Sequence, residues 1–335
     1  MKKVGLTLGK FAPLHKGHEY LIKLMLREMD ESVVIIYDTS VTCIPLQIRA
    51  GWIRRMFPLI TVIEAWDGPD VCADASEYER REEAYIKGLL GDMQITAFYS
   101  SEYYGAHMSK ALNCTDRRID EMREAVPVSA TMIRDNPFNH RQYISDLVYR
   151  DLIVKVVFLG AMSTGKSTIA ETLAKKYDTT FVGEYGRDYW DEHQVERRLP
   201  LEAFDEIAIG HIKREEEKFL SANRYCFIDT NAITTYMFSL DYHGAAPELL
   251  IRLAIENASR YDLFFLCEDD IPYDDTWDRS GDQKRQAFQK KIIADLNIRH
   301  IPYVPLCGDL QSRIQRVDNV LSSFKPYSNF YGRMI

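Results

Sequence analysis

The chain contains two segments in which an apolar strand, a glycine-containing turn and a helical pattern follow one another. The first strand covers residues 4–8 and leads into Gly9, and the second covers 153–159 and leads into a glycine-rich turn. Further apolar runs, separated by amphipathic stretches, occupy 33–37, 95–99, 225–228 and 263–267. This alternation is typical of α/β folds with parallel sheets. Because a second strand ending in a phosphate-type loop implies a second nucleotide site, we predict two domains, residues 1–148 and 149–335.

The second turn matches the P-loop motif GxxxxGK(S/T), since residues 160–167 have the sequence Gly-Ala-Met-Ser-Thr-Gly-Lys-Ser and precede a helical pattern. In such a loop the backbone N–H groups point at phosphate oxygens, the lysine (Lys166) neutralises the β and γ phosphates, and the hydroxyl (Ser167) binds Mg²⁺. The predicted ATP-binding residues are Gly160, Ser163, Thr164, Gly165, Lys166, Ser167 and Thr168. We therefore predict that the second domain uses ATP together with Mg²⁺.

Two acidic residues follow other strands of the same domain. Asp229 ends the apolar run 225–228, where a carboxylate assists Ser167 in holding the metal, although a helix cap is the alternative. Glu184 follows a probable strand at 181–182, and we predict that it accepts the proton of the hydroxyl that is phosphorylated. Arg187 is expected to position substrate or phosphate, with a structural Glu184–Arg187 ion pair as the alternative.

A polar and basic segment, residues 277–285, follows an acidic turn. This pattern predicts a lid that brings Arg279 and Arg285 over the transferred phosphoryl group. A solvated loop is the alternative for both arginines.

The first turn carries a histidine pair in the pattern GxFxPxHxGH, residues 9–18. Imidazoles at the N-terminus of a helix can donate hydrogen bonds to an α phosphate, where charge grows as pyrophosphate leaves. We therefore assign transition-state stabilisation to His15 and His18, add Lys10 to them as a catalytic residue, and predict that Gly9, Phe11 and Gly17 bind ATP. The pattern resembles the nucleotidyltransferase form of the HIGH motif.

A second signature, (I/V)SxTxIR, occurs at residues 128–134. Ser129 is predicted to be the N-cap of a helix, Thr131 to lie at the nucleotide, and Arg134 to clamp the triphosphate with its forked guanidinium. The two signatures in this order favour nucleotidyl transfer over a chance histidine pair.

Taken together, the motifs resemble the NadR family, in which a nicotinamide mononucleotide adenylyltransferase is joined to a ribosylnicotinamide kinase. Other segments that carry the resemblance are 133–138, 184–187, 208–211 and 228–235. The resemblance implies a Rossmann-like HIGH-type nucleotidyltransferase followed by a P-loop kinase. It also implies that Arg49 and Trp52 contact nicotinamide, although an amphipathic helix in which Trp52 anchors the core is the alternative.

Composition excludes several other classes of protein. The 42 Lys and Arg residues against 50 Asp and Glu residues give a formal charge of −8, which lacks the general attraction for nucleic acid or anionic membranes. No apolar run approaches a membrane span, so a cytoplasmic protein is expected. Some NadR proteins begin with a helix-turn-helix domain, but only eight residues precede Gly9, so we expect no DNA partner.

The expected ligands are nicotinamide riboside, nicotinamide mononucleotide, ATP and NAD. One alternative is a pantetheine-phosphate or cytidylyl transferase fused to another nucleoside kinase, and a second is a regulator that senses NAD or ATP without turnover. The sequence leaves the oligomeric state open, including a homo-oligomer.

Overall fold

The computed structural model describes residues 2–69, 75–101, 105–196, 198–273 and 282–328. The chain divides into two compact units, Met1–Tyr149 with Lys325–Ile335, and Arg150–Phe324. The predicted domains divide at 148/149 and place residues 325–335 in the second domain. The structure instead groups these residues with the first unit. In the described part of the chain, no helix is both long enough and apolar enough to cross a bilayer.

The first unit is a parallel five-stranded sheet with connecting helices. Its strands are β1 (Val4–Gly9), β2 (Glu31–Tyr37), β3 (Thr61–Ala65), β4 (Ala97–Ser100) and β5 (Thr115–Arg118). Its helices are α1 (Lys16–Glu28), α2 (Leu46–Met56), α3 (Ala75–Leu90), α4 (Gly105–Ala111) and α5 (Ala130–Asp135), followed by α6 (Asp146–Leu152). The strand order β3-β2-β1-β4-β5 is that of doubly wound folds, and it reverses direction between β1 and β4.

The second unit contains another parallel sheet, in the order β10-β9-β6-β8-β7. Its strands are β6 (Val154–Leu159), β7 (Thr180–Val182), β8 (Tyr225–Asp229), β9 (Leu263–Cys267) and β10 (Val304–Leu306). Its helices are α7 (Lys166–Lys176), α8 (Tyr185–His193), α9 (Ala203–Phe219), α10 (Ala232–His243), α11 (Glu248–Glu256), α12 (Asp282–Ile298) and α13 (Leu310–Ser323). Every residue of β8 and β9 is buried, as expected for strands covered on both faces.

The predicted α/β class with parallel sheets is confirmed. The apolar runs 4–8, 33–37, 153–159, 225–228 and 263–267 all form central strands. In parallel sheets ligands bind beyond the carboxyl ends of the strands, where the strand order changes direction. The residues that follow β1 and β6 therefore lie where a ligand is expected to bind.

Candidate active sites

The P-loop of the second unit connects β6 to α7, and its glycines are required by its shape. Gly160 has φ +141°, and a Cβ atom there would lie 2.6 Å from the carbonyl oxygen of Cys267. Gly165 has φ +82° and precedes the first turn of α7. The Thr164 hydroxyl and the Lys166 ammonium group both donate to the Ala161 carbonyl, at 2.8 and 2.9 Å. The loop is thus folded on itself, with Lys166 drawn in against it.

Ser167 and Asp229 meet beside this loop. The Ser167 hydroxyl donates to Oδ2 of Asp229, while Oδ1 is buried and accepts no hydrogen bond from any residue that the structure describes. Burial, with the nearby Glu184 carboxylate, raises the pKa of Asp229. The cap of α10 is Asn231, so the alternative that Asp229 is a helix cap is wrong. A hydroxyl and a carboxylate with a spare oxygen fit a hard cation such as Mg²⁺.

A cavity of about 420 Å³ opens next to the P-loop. P-loop residues from Met162 to Thr168 line it, together with Glu184 and Arg187. Glu184 pairs with Arg187 at 3.3 Å, so the predicted alternative, an ion pair, is present while both side chains also line the cavity. The size is within the range of small-molecule sites.

Aromatic side chains also line the cavity, which sequence reasoning missed. The rings that line it belong to Trp190, Phe204, Phe238 and Tyr242. Trp190 and Tyr242 stack with centroids 6.2 Å apart, and Phe238 and Tyr242 are 6.1 Å apart. These residues come from α8, α9 and α10, so only the fold brings them together.

Arg285 does not lie on a lid loop, and that prediction is wrong. It belongs to α12, is 4% exposed, and donates to the carbonyls of Ser163, Asp269 and Ile271. Its guanidinium therefore braces the P-loop, because its two terminal nitrogens donate to backbone carbonyls of the loop and of the segment after β9. Arg279, the other arginine of the predicted lid, lies outside the described residues.

Two further braces of the P-loop were missed by the sequence analysis. Arg313 of α13 is buried, donates to the Thr164 carbonyl, and pairs with Asp270. Gln289 of α12 accepts the Ala161 N–H at 2.8 Å and donates to the Cys267 carbonyl at 3.1 Å. Both lie on long helical stretches without a motif, so no local signal points to them.

In the first unit, His15 and His18 fall at the start of α1, directly after β1. His15 is the N-cap, and its Nδ1 accepts the N–H of Gly17 at 3.2 Å. Nδ1 of His18 accepts the N–H of His15 at 3.4 Å, and the two rings stack with centroids 3.7 Å apart. Because each Nδ1 accepts a hydrogen bond, the proton of each neutral ring is on Nε2.

The electrostatic surroundings keep both rings neutral. Burial, with the positive charges of Arg123 and Arg134, lowers the pKa of His15 to about 4. Burial, with His15 and Arg134 nearby, holds the pKa of His18 well below its usual value. Each ring therefore presents one Nε2–H donor at neutral pH. Arg123, an exposed residue six positions before Ser129, is a cation that the sequence analysis did not assign to this site.

The second signature lies beside the histidines. Ser129 caps α5 by accepting the N–H of Met132 at 3.1 Å, so the predicted N-cap is confirmed. Arg134 donates to the carbonyl of Ala12 at 3.1 Å and to the Thr131 hydroxyl at 3.0 Å. The guanidinium is thus tied to the loop that carries His15.

Small residues keep that loop compact. A Cβ atom on Gly17 would lie 3.1 Å from the His15 ring, and one on Gly9 would lie 3.2 Å from the Phe11 ring. Phe11 is buried, and its ring contacts His18 edge-on with centroids 4.9 Å apart. The Lys10 side chain is exposed, whereas its backbone carbonyl accepts a hydrogen bond from Arg49.

Arg49 and Trp52 are both fully buried in α2, so the structure favours the core alternative for this helix. The Arg49 guanidinium donates to the carbonyls of Lys10, Tyr37 and Ile44, which places it behind the loop after β1. Trp52 has no exposed surface on which a nicotinamide ring could stack. The placement of Trp52 at the substrate is therefore not supported.

Comparison with known proteins agrees with the motifs. A family model described as an AAA domain matches residues 155–313. The protein "Trifunctional NAD biosynthesis/regulator protein NadR" of Salmonella typhimurium is 29% identical over 325 residues, which cover 90% of this chain and 78% of that protein. The Escherichia coli protein of the same name is 29% identical over 330 residues, with the same coverage. The chain is homologous to NadR.

Solved NadR structures share the fold of this homologue. Crystal structures of NadR in complex with NAD and AMP-PNP, and in complex with NR, each superpose with a TM-score of 0.58 and cover 96% of both chains. Their sequence identities are 23% and 24%, so these matches support the architecture.

Proposed function

We propose that the protein is a bifunctional enzyme of NAD biosynthesis. The second unit phosphorylates the 5′-hydroxyl of nicotinamide riboside with ATP, and the first unit joins the resulting nicotinamide mononucleotide to the adenylyl group of a second ATP. The observation that carries the kinase half is one cavity that is lined both by Lys166, Ser167 and Glu184 and by an aromatic wall, the rings of Trp190, Phe204, Phe238 and Tyr242. The homology to NadR supports both halves.

In the kinase step, the 5′-oxygen attacks the γ phosphorus and the bond to the β-phosphate oxygen breaks, which releases ADP. Glu184 accepts the hydroxyl proton, and Lys166 stabilises the charge on the transferred group. Ser167 and Asp229 would hold Mg²⁺, which neutralises phosphate charge when bound. The pair of arginines behind the P-loop, Arg285 and Arg313, keeps its backbone N–H groups in register with the phosphates.

The acceptor pocket suits a flat cation. Nicotinamide riboside carries a pyridinium ring, and aromatic faces such as those of Trp190 and Tyr242 attract such cations. Asp191, which also lines the cavity, adds a negative charge. A neutral nucleoside would gain less from this wall.

In the adenylyl step, a phosphate oxygen of nicotinamide mononucleotide attacks the α phosphorus, and pyrophosphate leaves. The Nε2–H groups of His15 and His18 donate to the α-phosphate oxygens, and Lys10 and Arg134 bind the departing pyrophosphate. Since the attacking oxygen is already ionised, no general base is needed.

The test is to incubate the purified full chain with nicotinamide riboside, ATP and Mg²⁺ and to follow nicotinamide mononucleotide and NAD by mass spectrometry. The matched control is Lys166→Ala, which should fail to phosphorylate the riboside yet still convert supplied mononucleotide to NAD. Absence of NAD from either substrate at saturating Mg²⁺ would contradict the proposal. Binding of NAD or ATP by calorimetry without any product would favour a sensor instead.

A further inference from the structure

Glu184 lies at the start of α8, where the first backbone N–H groups of the helix need hydrogen-bond acceptors. Glu184 is the N-cap of α8, but its side chain makes no hydrogen bond to the backbone of that helix. The first N–H groups of a helix have no partner inside the helix and need one elsewhere. A carboxylate that capped α8 would be turned away from the cavity and unavailable to a substrate hydroxyl.

Helix α9 supplies the missing partner. Nδ1 of His211 accepts the N–H of Tyr185, the first residue of α8, at 3.4 Å. One turn later, Arg214 donates to the carbonyl of Gly183 at 3.3 Å and pairs with Asp188 at 2.8 Å. The backbone groups on both sides of Glu184 are therefore held by one helix.

The side chain of Tyr185 is held by the same helix. A Cβ atom at position 210 would overlap the Tyr185 ring, so Gly210 lets α8 and α9 approach closely there. The Arg214 guanidinium carbon lies over the same ring, 4.7 Å from its centroid. Neither the backbone nor the ring of Tyr185 can move without losing a contact to α9.

A buried ionic cluster lies beside His211. Nε2 of His211 is 3.4 Å from a carboxylate oxygen of Glu215, one turn further along α9, but makes no hydrogen bond to any residue that the structure describes. Glu215 is fully buried and accepts from Arg260 at 2.8 Å and from the Tyr261 hydroxyl. Since Nδ1 accepts from Tyr185, the proton of the neutral ring is on Nε2. Burial lowers the pKa of His211 to about 4, so the ring is neutral and Nδ1 remains an acceptor at neutral pH.

We propose that His211 and Arg214 are positioning residues of the phosphotransfer reaction: they fix the backbone on both sides of Glu184 and leave its carboxylate to the substrate. This inference rests on the proposed kinase function, because it acts through Glu184. His211 accepts one of the N–H groups at the start of α8 from outside the helix, and the Glu184 carboxylate is not turned back onto the helix.

The test compares His211→Ala with His211→Asn in the full chain. The Asn side-chain oxygen takes the place of Nδ1 and still accepts the Tyr185 N–H, whereas Ala does not. A displacement of about 1 Å in a catalytic group costs up to about 100-fold in rate. We expect kcat for riboside phosphorylation to fall about 10- to 100-fold in the Ala variant and within about threefold of wild type in the Asn variant. The KM for ATP should stay unchanged in both.

A double substitution distinguishes positioning from direct contact with substrate. If His211 acts through Glu184, His211→Ala should slow the Glu184→Gln enzyme by less than about twofold, because coupled residues are not additive. Arg214→Gln, at a partly exposed position, should behave in the same way with a smaller loss. Full additivity with Glu184→Gln, or equal losses in the Ala and Asn variants, would overturn the proposal.

Amide hydrogen exchange at Tyr185 tests the backbone contact without reference to turnover. Its exchange should be at least about tenfold faster in His211→Ala than in wild type and close to wild type in His211→Asn. Unchanged exchange in the Ala variant refutes the proposal even if the riboside is phosphorylated. If the wild-type protein does not phosphorylate the riboside but Tyr185 exchange responds as expected, the kinase assignment has failed and the backbone contact stands.

Discussion

The paired histidines of the first unit predict that adenylyl transfer uses neutral imidazole donors, and His15→Asn isolates this role. His15 has two functions in the structure: Nδ1 caps α1, and Nε2–H is left for the α phosphate. Asn is among the best N-cap residues, so this substitution keeps the cap and removes the imidazole ring with its Nε2–H donor. His15→Ala removes both.

The magnitudes follow from that division. Loss of one donor to a developing oxyanion lowers kcat by about 10²–10³, or about 3–4 kcal/mol, in both variants. Loss of the cap costs about 1 kcal/mol of folding free energy in the Ala variant and close to none in the Asn variant. We expect the two variants to share one rate defect and to differ in unfolding midpoint.

The assay measures NAD formed from nicotinamide mononucleotide and ATP between pH 5.5 and 8. Dividing wild-type kcat/KM by that of His15→Asn cancels the titration of the substrates. With a pKa of about 4, only about 0.3% of His15 is protonated at pH 6.5, against half for an unperturbed histidine. The ratio should therefore be flat, and a twofold bend centred near pH 6.5 would refute the neutral-donor argument.

Three further predictions concern buried side chains. Asp229→Asn should weaken Mg²⁺ binding and slow riboside phosphorylation about 10²-fold or more, while adenylation of supplied mononucleotide stays intact. Burial and Glu184 raise the pKa of Asp229, so calorimetry should show that the wild-type affinity for Mg²⁺ increases as pH rises through that raised value. Trp52→Ala should cost about 3–5 kcal/mol in urea unfolding, whereas Trp52→Phe should leave the KM for nicotinamide mononucleotide within about threefold, and a tenfold rise would restore a substrate role. The pKa of His211 is about 4 in the folded state, so only the unfolded state takes up a proton there as pH falls from 6.5 towards 4. The free energy of unfolding of the second unit should therefore fall by about 3 kcal/mol over that pH range, and His211→Asn should remove this loss.

The parts of the molecule that were predictable from sequence are those whose chemistry is local. The P-loop and the histidine turn each follow an apolar strand and precede a helix, so strand, turn and site were visible in one stretch of chain. Ser129 as a helix cap was visible for the same reason, because a cap bonds to a residue three positions away.

The errors and omissions arose where one pattern suits two environments. Trp52 lies on a helix whose spacing is the same whether that face meets the core or a ligand, and only burial separates the two. Arg285 follows a polar stretch, yet it belongs to a helix and its donors are occupied by backbone carbonyls. His211 lies in the segment 208–211 that carries the family resemblance, but no local pattern shows its role, since its partner Tyr185 is 26 residues away and α8 must first pack on α9.

The three side chains that brace the P-loop, Arg285, Gln289 and Arg313, affect when the nucleotide site can form during synthesis of the chain. The contacts from Arg285, Gln289 and Arg313 to the loop span 122, 128 and 149 residues of sequence. Such long-range closures form late in folding, because the chain between them must be ordered first. A nascent chain that has emerged only as far as β9 contains every residue of the ATP motif but none of these braces. Nucleotide binding by the second unit should therefore begin only when α13, which carries Arg313, has been synthesised.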